Sequence, residues 1–184
     1  VLCRAAEQQA ALADGSTAWM IRQHLREVAP DDLGNLLHLV QAEVELGTFV
    51  ADSLTEWGII PLVSAAATQA RIDWDLLLHS LKAVLKAAPL EPVILEFATA
   101  CLHHNPNPLP FVYTLMNRAI EISSTFRQPL ISVQYAQLCL QVYPDELSIL
   151  SQISYFYQDA NHHEAGIEVA REFCQLARSL PDQI

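Results

Sequence analysis

A short phrase built around proline recurs three times in this chain, as Val-Ala-Pro30-Asp-Asp, Ala-Ala-Pro89-Leu-Glu and Val-Tyr-Pro144-Asp-Glu. Each copy sits between segments whose apolar residues return at steps of three and four. Proline has no amide hydrogen, and its ring clashes with the preceding helical turn, so it belongs at helix boundaries rather than in helix interiors. Acidic residues just after it favour a helix start, because the unpaired N–H groups there carry partial positive charge. The recurrence therefore describes helices punctuated by a repeated kind of turn. Composition agrees, with 5 Gly, 10 Pro, 52% hydrophobic residues and only 17% charged residues, and almost no stretch alternates in the manner of a strand.

The clearest unit runs from Pro144 to Pro181. Leu147, Leu150, Ile153 and Tyr157 fall on one face of a first helix, and Ser148, Ser151, Tyr155 and Gln158 on the opposite stripe. Asp159-Ala-Asn161 supplies a turn. A second helix resumes near His163, with Gly166, Ile167, Ala170, Phe173, Cys174 and Ala177 assigned inward, and small groups at Ser154 and Gly166 let the two helices approach closely. This spacing resembles the tetratricopeptide pattern: Leu150, Ile153-Ser154 and Tyr157 in the first helix, then Gly166 and Ala170 in the second. Ser stands where Gly is usual, Ala170 where an aromatic is usual, and Pro181 arrives about one turn late.

Taken in order, the chain reads as about eleven helices. Val1 to Asp14 is Ala-rich and helical, and Ser16 or Thr17 can cap the next helix, which carries Trp19, Ile21 and Leu25. Asp31 and Asp32 start a third with Leu33, Leu36, Leu37, Val40, Val44 and Leu46 buried. A short segment spans Phe49 to Trp57, and Pro61 interrupts the small-residue run that follows. Helices from Trp74 to Ala88 and Val93 to His104 come next. Asn105-Pro-Asn-Pro-Leu-Pro110 is an extended loop, read as a long turn rather than a hinge because both flanks resemble the same array. Helices then cover Phe111 to Phe126 and Leu130 to Tyr143. Helices with one apolar face bury it against antiparallel neighbours, so the fold expected for residues 1–184 is a single all-α domain, an α-α superhelix with a concave wall made by alternate helices. The chain begins without Met inside a helix and ends where another helix can start, so the expectation is a fragment of a longer protein.

Several function classes are disfavoured. The formal net charge of −11, with no basic stripe, argues against nucleic acid and anionic lipid. No apolar run nears the ~20 residues needed to span a bilayer. Cys3, Cys101, Cys139 and Cys174 form no CxxC pair and fall on apolar faces, as reduced core cysteines of a cytoplasmic protein do. His103-His104 and His162-His163 are adjacent pairs whose rings point about 100° apart on a helix, unlike an i, i+4 metal pair, and His24 and His38 lie among apolar neighbours. No HExxH, GxSxG, GxGxxG or phosphate-loop motif occurs, so no catalytic residue, cofactor or metal is assigned. Asp31/Asp32, Glu43/Glu45 and Asp52/Glu56 are read as a solvated face; the sharper alternative, a cation-attracting groove, calls for a basic partner.

The candidate binding residues are Ser148, Ser151, Tyr155, Gln158 and Asp159, the exposed members of the first helix in the last unit. In tetratricopeptide arrays the corresponding stripe lines the groove that holds an extended peptide; the plain alternative is a stripe that faces water. The wording from Thr17 to Pro30, then Asn35-Leu-Leu-His-Leu-Val, Phe156-Tyr-Gln-Asp-Ala-Asn and Leu180-Pro-Asp-Gln-Ile resembles the N-terminal tetratricopeptide-like region of cyanobacterial proteins of the SPINDLY type, which are similar to O-linked N-acetylglucosamine transferases. That resemblance implies a non-catalytic arm that selects a protein or peptide for a separate glycosyltransferase domain. Two alternatives stand beside it: a piece of an enzyme site completed at an interface by residues such as His103 or Asp159, and a structural or self-association spacer.

Overall fold

The computed structural model describes residues 9–10, 13–69 and 72–179. Among them lie ten α-helices and no strand, so the all-α architecture is as expected; the eleventh helix, Val1 to Asp14, falls largely outside the described residues, as do Cys3 and Pro181. Two compact units share the chain, one ending at Pro106 and the other beginning at Asn107.

The first unit holds α1 (Gly15–Val28), α2 (Leu33–Leu46), the one-turn α3 (Ser53–Glu56), α4 (Ile59–Thr68), α5 (Trp74–Ala87) and α6 (Pro92–Leu102). Helix α2 is its centre, touching α1, α4 and α5, while α4 packs on α6. Three neighbours explain a departure from the single-face expectation. Leu36, Leu37 and Val40 are buried as assigned, but so are Leu39, Asn35 and Glu43, whereas Leu46 is exposed. Polar groups inside the unit are paired: Asn35 Nδ2 donates to the Arg22 carbonyl at 3.1 Å, and Gln41 Nε2 donates to Ser80 Oγ at 2.9 Å. Pro61 does not break α4. It stands in the first turn, where its missing N–H has no intrahelical acceptor to lose, and Gly58 takes the left-handed turn (φ 66°) that precedes it.

The second unit holds α7 (Leu109–Ser124), α8 (Pro129–Val142), α9 (Leu147–Asp159) and α10 (His163–Ser179). Each packs on its neighbour in sequence. The α7–α8 and α9–α10 pairs close on small residues. Ser132 Oγ on α8 donates to the Ala119 carbonyl at 2.7 Å, and Ser154 Oγ on α9 donates to the Gly166 carbonyl at 3.0 Å. Pro110 lies in the first turn of α7 rather than in the loop before it. The inward face assigned to α10 needs correction. Gly166 is buried and Ala170 and Phe173 are half-buried, but Ile167, Cys174 and Ala177 are exposed, because α9 alone packs on this helix among the described elements.

The recurrent proline phrase is a recurrent structure. Ala29, Ala88 and Tyr143 each end a helix with φ between −143° and −126° and ψ between 57° and 76°, and each still donates its N–H to the carbonyl four residues back. Proline at the next position forces this exit from helical geometry. Each cap carbonyl then accepts the N–H three residues on, from Asp32, Glu91 and Glu146 at 3.2, 3.3 and 3.2 Å, and those acidic residues are the N-caps of α2, α6 and α9.

Candidate functional site

The five residues chosen from the sequence all lie exposed on α9 or its end, but they do not form one surface. Ser151, Tyr155 and Gln158 line a hollow of about 230 Å³ with Ser154 and, from α10, Ala170 and Phe173. Ser148 belongs to a different depression, facing α7. Its N–H and hydroxyl donate to Glu146, at 3.3 and 2.8 Å, and fix the start of α9. Asp159 reaches α7 at its far end, where its Oδ2 accepts the Ser123 hydroxyl at 3.0 Å. The split follows from helix geometry. At 100° per residue these five positions cover an arc of about 100°, wide enough to straddle two neighbours.

The Ser123–Asp159 bond joins the C-terminal ends of α7 and α9, and Leu109 shares a groove with Ser148 and Ile149 at their N-terminal ends, so the two helices run in the same direction. Between them lies a groove of about 280 Å³. Its α7 wall carries Leu109, Tyr113, Met116 and Ile120 over a floor of Val112 and Ile149; its α9 wall carries Ser148 and Gln152, and Tyr143 and Glu146 close one end. Leu109, Tyr113 and Ile120 are 44%, 62% and 44% exposed, a concentration of wet apolar surface on a helix that also buries Phe111, Leu115, Ala119 and Ile122 on its other side. Sequence reasoning passed over this row. Its signal was available, since α7 repeats large apolar residues on two faces rather than one.

In the first unit, a hollow of about 460 Å³ lies between α4 and α6, lined by Ile60, Ser64, Thr68, Glu96, Thr99, Ala100, His103 and His104. Its hydroxyls are spent on their own helices: Ser64, Thr68 and Thr99 donate to the carbonyls of Ile60, Ala65 and Leu95 at 3.2, 2.7 and 2.8 Å. His103 and His104 are exposed where α6 ends, with ring centres 4.2 Å apart and His104 at φ 57°. Asn161 takes the same left-handed geometry (φ 59°) before His162, whose ring stacks on Tyr157. His24 is exposed and pairs with Glu27 at 3.2 Å. Among the described residues no three His, Cys, Asp or Glu side chains converge as a metal site.

Two sequence assignments change. Cys101 and Cys139 are buried, and burial pushes both thiols up, Cys139 to about 12; Cys174 is instead exposed, on the outer side of α10. Glu43 is not part of a solvated face. It is buried between α1 and α2, accepts a long 3.5 Å bond from Trp19 Nε1, and burial raises its carboxyl above the usual range, against smaller lowering effects from Trp19 and Arg26. Arg26 in turn lies 4.8 Å from the centre of the Trp57 ring.

No family model and no curated protein matches this chain. Among solved structures it is similar to two crystal structures of MamA. The first has a TM-score of 0.48 and 9% sequence identity, covering 97% of this chain and 93% of that one. The second has a TM-score of 0.44 and 8% identity, covering 94% of each. No helix among the described residues is long and apolar enough to cross a membrane.

Proposed function

We propose that this chain is a non-catalytic protein-interaction module and that its second unit binds a polypeptide segment in the groove between α7 and α9. The observation that carries the reading is the row Leu109, Tyr113, Met116 and Ile120, which leaves large apolar side chains in water along a concave wall. Removing such surface from water yields roughly 25 cal/mol per Å², so a partner that covers it gains affinity. The net charge of −11 favours a basic partner over nucleic acid. The hollow lined by Ser151, Tyr155 and Gln158 is a polar neighbour of this groove, with Tyr155 offering flat apolar area and a hydrogen-bonding tip.

The test is selection from a displayed peptide library against the chain, with Ile120→Glu as the counter-selected variant. Enriched peptides should bind the native chain and lose binding to Ile120→Glu; enrichment indifferent to that substitution removes the groove from the account. The resemblance to SPINDLY-type proteins extends the reading to the recognition arm of a cytoplasmic protein glycosyltransferase, an extension that no comparison with known proteins supports. Sugar-nucleotide turnover by a longer parent polypeptide, absent from the isolated chain, is the result that extension requires.

A further inference from the structure

The walls of the groove decide what conformation its occupant takes; this step rests on the reading of the second unit as a binding surface. Along α7, Leu109, Tyr113, Met116 and Ile120 follow one another at steps of four, three and four residues. At 1.5 Å per residue they make one straight row about 16 Å long, the length of three helical turns. The opposite wall offers few hydrogen-bonding groups. The Ser148 hydroxyl is already donated to Glu146, which leaves Gln152, the tyrosine hydroxyls and, at one end only, the Glu146 carboxylate.

An extended segment laid on this surface would press its backbone N–H and C=O groups against Leu109, Met116, Ile120 and Ile149 with almost nothing to pair them. Burying such groups unpaired is costly. A helix satisfies its own backbone and presents side chains alone. Charge fixes the rest. Among the described residues Glu146 is the one charged side chain lining the groove, at the end where α7 and α9 begin; Asp145 beside it is exposed, and Asp159 is exposed at the opposite end. Acidic groups at both ends of an apolar trough complement cations at both ends of an apolar stripe.

We infer that the groove between α7 and α9 takes an amphipathic helix of a protein partner, with apolar side chains recurring at i, i+4, i+7 and i+11 and Lys or Arg near its ends. The occupant is thus helical, where an extended peptide was the expectation from sequence.

A fluorescein-labelled synthetic peptide with Leu at those four positions, Lys at both ends and Ala or Gln elsewhere tests this against the whole chain by fluorescence anisotropy and circular dichroism. The peptide should bind and gain helicity on binding. A scrambled version, one with a central Pro and one with Glu at both ends should each bind about tenfold more weakly or worse, the equivalent of about 1.4 kcal/mol. Tyr113→Glu and Ile120→Glu, both at exposed positions, should abolish binding with the chain's own helical spectrum intact, and Gln137→Glu, the same change of charge at an exposed position of α8 outside the groove, should leave affinity unchanged. Equal binding of the Pro peptide, or affinity indifferent to Ile120→Glu, overturns the inference. Sedimentation showing self-association of the chain that Ile120→Glu abolishes overturns it in favour of a second copy as occupant. Should library selection yield groove-dependent extended peptides while the Leu-stripe peptide fails, the helical occupant is refuted and the binding function stands; if neither shows groove-dependent binding, both fall.

Discussion

Gly166→Val is the sharpest test of how the α9–α10 hairpin is held. A Cβ at Gly166 would lie 3.3 Å from the Ser154 carbonyl oxygen, 3.5 Å from Tyr157 Cβ and 3.6 Å from Gln158 Cγ, so α10 meets α9 there with no spare room. Helix propensity alone favours the substitution by roughly 0.4 kcal/mol, because Gly is among the poorest helix formers. Two γ-methyl groups beyond a Cβ already in tight contact force the helices apart, and overpacking of this kind costs about 1–3 kcal/mol. Separation also lengthens the 3.0 Å Ser154–Gly166 hydrogen bond, worth about 1 kcal/mol net. The sum is a loss of about 1–3 kcal/mol, read by urea denaturation followed through helical circular dichroism with the m-value unchanged. Gly166→Ala should be close to neutral, its propensity gain offset by the 3.3 Å contact. Gly15→Ala, where a Cβ meets nothing within 4 Å, should stabilise by about 0.5 kcal/mol. If Gly166→Val stabilises as Gly15→Ala does, the close approach of the two helices is wrong.

Asp73→Ala removes the cap that accepts the Leu76 N–H at 3.0 Å and should cost about 1 kcal/mol in the same assay, whereas Asp73→Ser should recover most of it. Glu43 has a folded pKa raised by burial, so the native state holds its proton more tightly than the unfolded chain. Its contribution is complete below the ordinary glutamate range and is lost as pH rises through the raised value. Glu43→Gln should therefore flatten the fall in stability over that window and be the more stable protein at neutral pH; an unchanged pH dependence in the Glu43→Gln variant would assign the slope to other groups.

The sequence disclosed the helices most clearly where local chemistry acts alone. Asp32, Asp73 and Glu146 cap the helices they precede, and the residue before Pro30, Pro89 and Pro144 leaves helical geometry each time, because proline excludes the α region from its predecessor whatever surrounds it. Ser154 and Gly166 were legible as a close approach for the same reason: small residues at matched positions of two adjacent helices have few other uses. Pro61 was misjudged because its effect depends on where the helix begins, and that is set by the Gly58 turn.

Burial was a different matter. Leu39 and Glu43 are inside because α2 has three neighbours, while Ile167 and Cys174 are outside because α10 packs on α9 alone among the described elements; periodicity gives the width of an apolar face but not how many partners cover it. The stripe proposed from the sequence for binding divided for the same reason, with Ser151, Tyr155 and Gln158 set beside α10 and Ser148 and Asp159 turned toward α7. Helix identity and boundary are written in residues a few positions apart, and the sequence alone determined them. Which face is covered, and so which apolar row is left to meet a partner, is a property of neighbours far along the chain, and only the tertiary structure could decide it.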